Sequence, residues 1–174
     1  MKCFNSFGVV LLSLVAAGCG SSGGGEANSS SGSSPDGKKY LLAEEPKGGQ
    51  DVIKTRETSK DGDDVVVIGR IGGQENPWLD GMAGFRIVDS SLKACSDVPG
   101  DSCETPWDYC CETDKLATGA ALVKVVDAEG KVVKSDAKTL LGAKELQTVV
   151  VAGKAKRDEA GNLTVLAKGI YIRP

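Results

Sequence analysis

The chain has 174 residues, including 23 glycines and 6 cysteines but no histidine, and its formal net charge is −3. The lack of histidine excludes a Ser–His–Asp triad, an imidazole base and a zinc site with imidazole ligands, and the length favours one ordinary domain with extensions. The acidic balance leaves no excess of lysine and arginine to neutralise phosphates, so no nucleic-acid partner is expected.

The N-terminus has the pattern of a signal peptide. Lys2 precedes an apolar run from Phe7 to Ala17, which is shorter than the roughly 20 apolar residues of a transmembrane helix. The run ends in Val15-Ala16-Ala17-Gly18-Cys19. This ending resembles the lipobox of bacterial lipoproteins, and the resemblance implies that residues 1–18 are removed and that Cys19 is lipidated. The alternative is an ordinary cleaved signal peptide in which Cys19 is incidental.

Residues 19–37 are predicted to be a disordered tether that begins at the lipidated cysteine. Gly20 to Gly37 contain six glycines and seven serines in eighteen positions, a composition typical of a flexible coil. In bacterial lipoproteins a residue other than aspartate after the lipidated cysteine favours the outer over the inner membrane, and Gly20 fits that pattern. We therefore expect a cell-envelope protein, anchored in a membrane by lipid and facing the periplasm or the cell exterior.

Residues 38–61 are predicted to be an N-terminal extension of the domain. Tyr40-Leu41-Leu42 is a short apolar cluster, followed by the helix breaker Pro46. Apolar residues beside a core usually pack on it, so the extension is expected to dock on the domain. The alternative is a peptide that recruits a partner.

Residues 62–174 predict five strands and one short helix. The strands are Val65–Ile71, Met82–Asp89, Ala121–Val126, Gln147–Lys156 and Asn162–Ile172, and the helix is Asp136–Leu146 with Ser135 or Asp136 as its cap. Alternation places Ala83, Phe85 and Ile87 on one face of the second strand and Arg86 on the other. A bulge is expected at Gly169 in the last strand.

This order of elements, β-β-β-α-β-β, is that of the oligonucleotide/oligosaccharide-binding (OB) fold. The pattern Val-x-Val-x-Gly-x-Ile at 65–71, the pattern Phe-x-Ile-x-Asp at 85–89 and the closing hairpin resemble that family. The resemblance implies an all-β domain with one short helix, built as a five-stranded OB-like barrel. The whole chain also resembles uncharacterised bacterial lipoproteins with a signal–linker–barrel plan. The alternative fold is a β-sandwich.

Between the second and third strands lies the cysteine insert (Cys95–Cys111), which also contains Cys103 and Cys110. In an exported protein four such cysteines predict two disulfides, and the strain of a vicinal bond leaves two connectivities: 95–110 with 103–111, or 95–111 with 103–110. The spacing lacks the Cys-x₂₋₄-Cys pairs of structural zinc sites, so no metal or cofactor is expected. The alternative is a metal-binding or redox accessory protein that acts through this insert.

The expected ligand contacts are aromatic and basic side chains near the second and third strands. Trp78, Trp107 and Tyr109 lie in loops and could stack on a glycan or peptide, although Trp107 would equally well pack over one end of the barrel. Arg86 and Lys124 lie on the strands beside them. No carboxylate pair forms a catalytic motif. The predicted function is a non-catalytic binding or assembly module, not an enzyme, with an envelope protein or a glycan as its expected partner.

Overall fold

Residues 33–174 are described by a computed structural model; the predicted signal peptide, Cys19 and most of the predicted tether lie outside them. The strands are β1 (Gln50–Asp51), β2 (Asp64–Ile71), β3 (Gly84–Val88), β4 (Ala120–Val125), β5 (Thr148–Arg157) and β6 (Leu163–Ile172). The α-helices are α1 (Val52–Thr58), α2 (Thr113–Gly119) and α3 (Ala137–Leu141), and 3₁₀ turns lie at Lys38–Tyr40 and Cys95–Asp97. Within this range no helix combines the length and apolar character needed to cross a membrane.

The strands form one mixed sheet in which five of them close a ring of hydrogen bonds. Antiparallel pairing joins β2 to β3, β3 to β4, and β5 to β6, while β4 pairs with β6 in parallel. β5 returns to β2 through seven antiparallel pairs, from Asp64↔Lys154 to Arg70↔Thr148, and β1 lies parallel to β2. The predicted mostly β fold is confirmed, with α3 between β4 and β5. The alternative of a sandwich of two sheets is wrong, because all six strands belong to one sheet.

The predicted inward faces of the strands form the main core. Ala83, Phe85 and Ile87 are fully buried, whereas Arg86 between them is half-buried on the outer face. The same alternation buries the following residues of the other strands: Ala121, Val123, Val125, Val149, Val151, Ala155, Leu163, Val165, Ala167 and Ile170. Inward-facing apolar residues at alternate positions of β2 to β6 are what a closed ring with an apolar interior requires.

The last two strands contain the expected irregularity. The pairing passes from Ala152↔Gly169 to Gly153↔Ala167, which leaves Lys168 unpaired. An extra residue on one strand of an antiparallel pair is a β-bulge, which bends that strand. The predicted bulge beside Gly169 is therefore confirmed, and it lies where β6 turns to pair with both β5 and β4.

α3 packs on the core with Leu140 and Leu141. The carboxylate of Asp136 accepts the N–H of Thr139 at 2.8 Å, which confirms the predicted cap. The helix ends five residues earlier than predicted, because Gly142 takes the left-handed conformation with φ 66° and stops it at Leu141.

The chain before β1 contacts the ring at several points. The N–H of Ser34, within the predicted tether, donates to the carbonyl of Leu140 at 3.1 Å, and that of Leu42 donates to Ile170 at 2.8 Å. Tyr40 is buried in the main core. These contacts hold the segment against α3 and β6.

The sequence predicts a single helix, and this number is wrong because the structure also contains α1 and α2. α1 contains few apolar residues at helical spacing, and its ends are stabilised by distant side chains instead. The carboxylate of Asp89 accepts the N–H of Ile53 at 2.7 Å in the first turn. At the other end, the guanidinium of Arg157 donates to the carbonyls of Arg56 and Ser59. Only the folded chain brings these partners together.

Candidate functional site

A groove of about 390 Å³ crosses the outer face of β3, β4 and β6. Arg86 on β3, Leu122 on β4 and Thr164 on β6 are neighbours in the register and form its floor. Its walls come from α1, α2, the β2–β3 loop and the β5–β6 turn. The other lining residues are Arg56, Gln74, Pro77, Leu79, Leu116, Ala117, Ala120, Ala121, Asp158, Asn162 and Leu163. The groove thus combines mostly apolar walls with a few polar side chains, the usual character of a ligand site.

Arg86 contributes a half-buried positive charge to the floor. Its guanidinium donates to the side-chain oxygen of Gln74 at 3.0 Å. Burial lowers the pKa of Arg86, and nearby Asp108 acts in the opposite direction. No carboxylate among the residues that the structure describes lies within ion-pair distance of it. A partly desolvated cation without a direct counter-ion favours an anionic ligand.

Arg56 brings a second guanidinium to the groove from α1. It donates to the carbonyl of Ala120 at 3.2 Å, which fixes the side chain against β4. Burial lowers the pKa of Arg56, the neighbouring Arg157 lowers it further, and Asp158 opposes both effects. In the described part of the chain Arg56 also has no carboxylate within ion-pair distance. The groove therefore holds two guanidinium groups that keep hydrogen-bonding capacity for a ligand.

The β5–β6 turn closes one end of the groove. The side chain and backbone N–H of Asn162 both donate to the carboxylate of Asp158 at 2.8 Å. The side-chain hydrogen bond from Asn162 is the main reason that the pKa of Asp158 lies below its ordinary value. The turn is thus held by its own hydrogen bonds and presents an ionised carboxylate at the rim.

Of the five side chains predicted to contact a ligand, the structure places only Arg86 in the groove. Trp78 is 9% exposed, packs on Phe85 and donates to Glu145 at 2.7 Å. Tyr109 is fully buried and Trp107 is half-buried, so the three aromatic rings do not form one exposed platform. Lys124 lies on the outer face of β4, beyond the groove lining.

No pattern in the sequence predicts the site residues Arg56, Gln74 and Asn162. Arg56 lies on the helix that was not predicted, and the other two lie in connections with no motif of their own. The only local signal is the position of Asn162 beside the Gly161 turn, which is typical of any hairpin.

The cysteine insert brings three thiols together. The sulfurs of Cys95, Cys103 and Cys110 all lie within 4.8 Å of one another. The Sγ–Sγ distance is 3.1 Å between Cys95 and Cys110 and 3.9 Å between Cys110 and Cys111. None of these four sulfurs is at the bonded distance of about 2.05 Å.

The thiols differ in environment. Burial, reinforced by a hydrogen bond with Cys110, raises the pKa of Cys95 to about 12. Hydrogen bonds with Thr105 lower the pKa of the half-exposed Cys103. The adjacent thiol of Cys110 raises the pKa of Cys111. Cys95 is therefore the least nucleophilic of these three and Cys103 the most readily ionised.

A second cleft, of about 330 Å³, lies between α1 and the start of β2. Its polar lining residues are hydroxyl, amide and carboxylate side chains: Gln50, Thr55, Thr58, Ser59, Asp63 and Asp64. It contains no cationic or thiol side chain among its lining residues, so it offers less distinctive binding chemistry than the groove.

No family model and no curated protein matches the sequence. Among solved structures, the telomere capping protein Ten1 from Saccharomyces pombe is similar over 72% of this chain and 77% of its own, with 15% sequence identity and a TM-score of 0.32. At that TM-score the likeness carries no inference about what this chain binds.

One expectation from the sequence needs correction. The acidic net charge of the chain predicts that no nucleic acid is bound, but the side chains of the groove do not support that exclusion. The physical reason is that a net charge of −3 is a sum over the whole chain. It does not describe the local field of a groove that contains Arg56 and Arg86.

Proposed function

We propose that this chain is a non-catalytic binding module that holds its ligand in the groove across β3, β4 and β6. The observation that carries the proposal is the pair of half-buried guanidinium groups, Arg56 and Arg86, neither of them ion-paired within the described residues. Two such groups beside apolar walls suit a ligand with negative charges and apolar faces. The ligand class is therefore an anionic chain molecule, such as an acidic glycan or a nucleic-acid strand.

The proposal includes an OB-like barrel for the domain. The ring order β2-β3-β4-β6-β5, closed back to β2 and with a helix between its third and fourth strands along the chain, supports it. OB folds bind chain-like ligands on the face of their second and third strands and on the loops beside it. The groove lies on the corresponding strands, β3 and β4, and is bordered by the corresponding β2–β3 and β5–β6 connections.

The proposal also includes membrane attachment through a lipid on Cys19 and an insert stabilised by disulfides. The lipobox-like sequence before Cys19 supports the anchor, and the clustering of the insert thiols supports the disulfides. The anchor would hold the domain at the cell envelope, with the outer membrane favoured by Gly20.

Ligand binding is tested with the full mature protein in detergent. Fluorescence anisotropy would be measured with a labelled oligogalacturonate and with a labelled single-stranded thymidylate oligonucleotide, which distinguishes the two sources of anionic chain. Arg86→Gln and Arg56→Gln should each weaken binding of the preferred probe about tenfold, since a hydrogen bond to a charged group contributes about 1.5–3 kcal/mol. Lys131→Gln, an exposed lysine outside the groove, is the matched control.

Two outcomes would refute the groove as the binding site. One is that neither probe binds the wild type. The other is that Lys131→Gln weakens binding as much as the arginine variants, since affinity would then follow net charge alone.

The anchor is tested by partition between the phases of a detergent that separates on warming. Wild type and Cys3→Ala, which changes a cysteine inside the signal peptide, should enter the detergent-rich phase with the added mass of a lipid. Cys19→Ala should stay in the aqueous phase without that mass. An unmodified wild-type N-terminus would refute the anchor and leave the groove proposal intact.

A further inference from the structure

The two closest sulfur atoms of the cysteine insert lie nearer to each other than an unbonded thiol pair or two ligands of one metal ion would. The sulfurs of Cys95 and Cys110 lie 3.1 Å apart. Carbon atoms in optimal contact are about 3.5–4.0 Å apart, and sulfur is larger. In a tetrahedral thiolate site with metal–sulfur bonds of about 2.3 Å, neighbouring sulfurs are about 3.8 Å apart. The contact is therefore shorter than either a packed thiol pair or a shared metal requires, and a shift of about 1 Å would bring the two sulfurs to the bonded distance of about 2.05 Å.

The backbone holds this pair in place without help from the thiols. The N–H of Cys95 donates to the carbonyl of Asp108 at 2.8 Å, and that of Ser96 donates to Pro106 at 3.0 Å. Between Asp108 and Cys110 the side chain of Tyr109 is fully buried, which anchors the segment that contains Cys110. The two cysteines are thus positioned by hydrogen bonds and burial on either side of them.

We propose that Cys95 and Cys110 form a disulfide, that Cys103 pairs with Cys111, and that the first bond clamps the β2–β3 loop that forms one wall of the groove. Of the two connectivities open from the sequence, the 3.1 Å contact selects this one. The part of the proposal that concerns the groove rests on the proposed function.

The bond forms by thiol–disulfide exchange with a disulfide-bearing oxidant of the envelope. The exposed thiolate of Cys110 attacks the oxidant's disulfide and releases one of its sulfurs as a thiolate. Cys95 then loses its proton and attacks the sulfur of Cys110 in the mixed disulfide, releasing the second. Two electrons and two protons pass from the cysteines to the oxidant, which leaves as two thiols.

Once formed, the bond resists reduction. An external thiol reaches the exposed Cys110 more easily than the buried Cys95, so its attack would expel the Cys95 sulfur. Burial raises the pKa of Cys95 to about 12, and a thiol of high pKa is a poor leaving group. The arrangement suits a structural bond rather than a catalytic one.

The insert contacts the groove wall through Trp107, three residues before Cys110. The carbonyl of Trp107 accepts the N–H of Gly73 at 3.0 Å, and its indole N–H donates to the carbonyl of Glu75 at 2.9 Å. Between those two residues, Gln74 lines the groove and accepts the hydrogen bond of Arg86. A disulfide at Cys110 therefore restrains the segment that positions Gln74 and Arg86.

The β2–β3 loop also lies close to the insert at Gly72. A Cβ at this position would lie 2.4 Å from the carbonyl oxygen of Trp107, and φ is 157°. Only a residue without a side chain lets the β2–β3 loop approach the insert so closely. The loop and the insert are thus built to pack on each other.

The pairing is tested with two double variants of the full mature protein. Cys103→Ser with Cys111→Ser leaves the proposed pair, Cys95 and Cys110. Cys103→Ser with Cys110→Ser leaves Cys95 and Cys111 and is the matched control. Each is equilibrated in glutathione redox buffers, and free thiols are counted by mass spectrometry after alkylation.

The proposed pair should form an intramolecular disulfide with an equilibrium constant at least tenfold larger than that of the control pair. Equal or reversed constants would overturn the pairing. So would four alkylatable thiols in wild-type protein isolated from the envelope, with or without bound zinc by elemental analysis.

The clamp is tested by hydrogen exchange in the wild type without any ligand. Reduction should speed exchange at residues 73–79 at least tenfold while leaving the β5–β6 pairing unchanged, because only the former segment contacts the insert. Unchanged exchange at 73–79 would overturn the clamp. If the pairing and the clamp are observed but neither anionic probe binds oxidised protein, the proposed function fails and this inference stands.

Discussion

The ring of strands and the cysteine insert (Cys95–Cys111) are stabilised by different means. The ring encloses one continuous apolar core, to which every strand from β2 to β6 contributes residues at alternating positions. Beneath the insert lies a much smaller buried cluster: Val88, Leu92, Ala94, Tyr109 and Ala120. A region with so little apolar area to bury gains less stability from its core and depends more on hydrogen bonds and ion pairs.

The polar contacts of the insert include an ion pair with the ring. The guanidinium of Arg70 on β2 contacts the carboxylate of Asp97 at 2.5 Å, and the same carboxylate accepts the N–H of Ala94 at 3.0 Å. Tyr109 fills the centre of the small cluster. We therefore expect the ring to withstand the loss of a single surface contact better than the insert, whose small cluster leaves more to individual polar groups.

The largest expected effect comes from the ring. Phe85→Ala should lower the free energy of unfolding by about 3–5 kcal/mol, because it leaves a cavity in the middle of the main core. Urea denaturation followed by circular dichroism measures the change. Met82→Ala, at an exposed position just before β3, should change it by less than about 0.5 kcal/mol. A loss for Phe85→Ala below about 1 kcal/mol would mean that the ring is not the main source of stability.

A smaller and local loss of stability is expected at the ion pair that joins Arg70 of the ring to Asp97 of the insert. Burial opposes ionisation of Asp97, but the hydrogen bonds from Arg70 and Ala94 outweigh it, so its pKa lies below its ordinary value. Its carboxylate therefore stabilises the folded state above the unfolded pKa of about 3.9, and this contribution is lost as the pH falls below that value. Acid should loosen the insert before it unfolds the ring.

Hydrogen exchange corrected for its intrinsic rate, measured between about pH 5 and pH 3, tests this prediction. In the wild type, protection at residues 94–98 should fall with pH; in Asp97→Asn it should be low throughout. Asp64→Asn removes the exposed ion pair of β2 with Lys154 and should behave like the wild type. Equal acid sensitivity of the insert in wild type and Asp97→Asn would contradict the role of this carboxylate.

The smallest expected change in the free energy of unfolding is at Tyr109. Its buried hydroxyl has no hydrogen-bond partner within the described structure, although Arg70 lies nearby. An unpartnered buried hydroxyl costs free energy, so Tyr109→Phe should leave the unfolding free energy unchanged or raise it by up to about 1 kcal/mol. Tyr171→Phe, at a half-buried position on β6, is the matched control. A clear loss in Tyr109→Phe would reveal a partner for the hydroxyl.

The ring was predictable from the sequence to the level of individual faces. Ala83, Phe85 and Ile87 alternate with polar or small residues, and period-two burial follows from backbone geometry alone. The cap at Asp136 and the bulge beside Gly169 are likewise local features with local causes. Such features need no knowledge of which strand lies beside which.

The candidate site was much less predictable. Trp78 and Tyr109 lie outside the strands, where aromatic residues suggest ligand contact, yet both are buried because neighbouring segments fold over them. Arg56 reaches the groove only because α1 packs beside β4, and α1 itself is held by Asp89 and Arg157. No local pattern encodes contacts between residues so far apart in the chain.

The strand faces, the position of α3 and the expectation of an exported, lipid-anchored chain follow from the sequence, because they depend on residues close together along the backbone. The closure of the ring, the groove that gathers Arg56 and Arg86, and the 3.1 Å contact of Cys95 with Cys110 become visible only in the folded chain. Each of these joins segments whose separation in sequence carries no information about their distance in space.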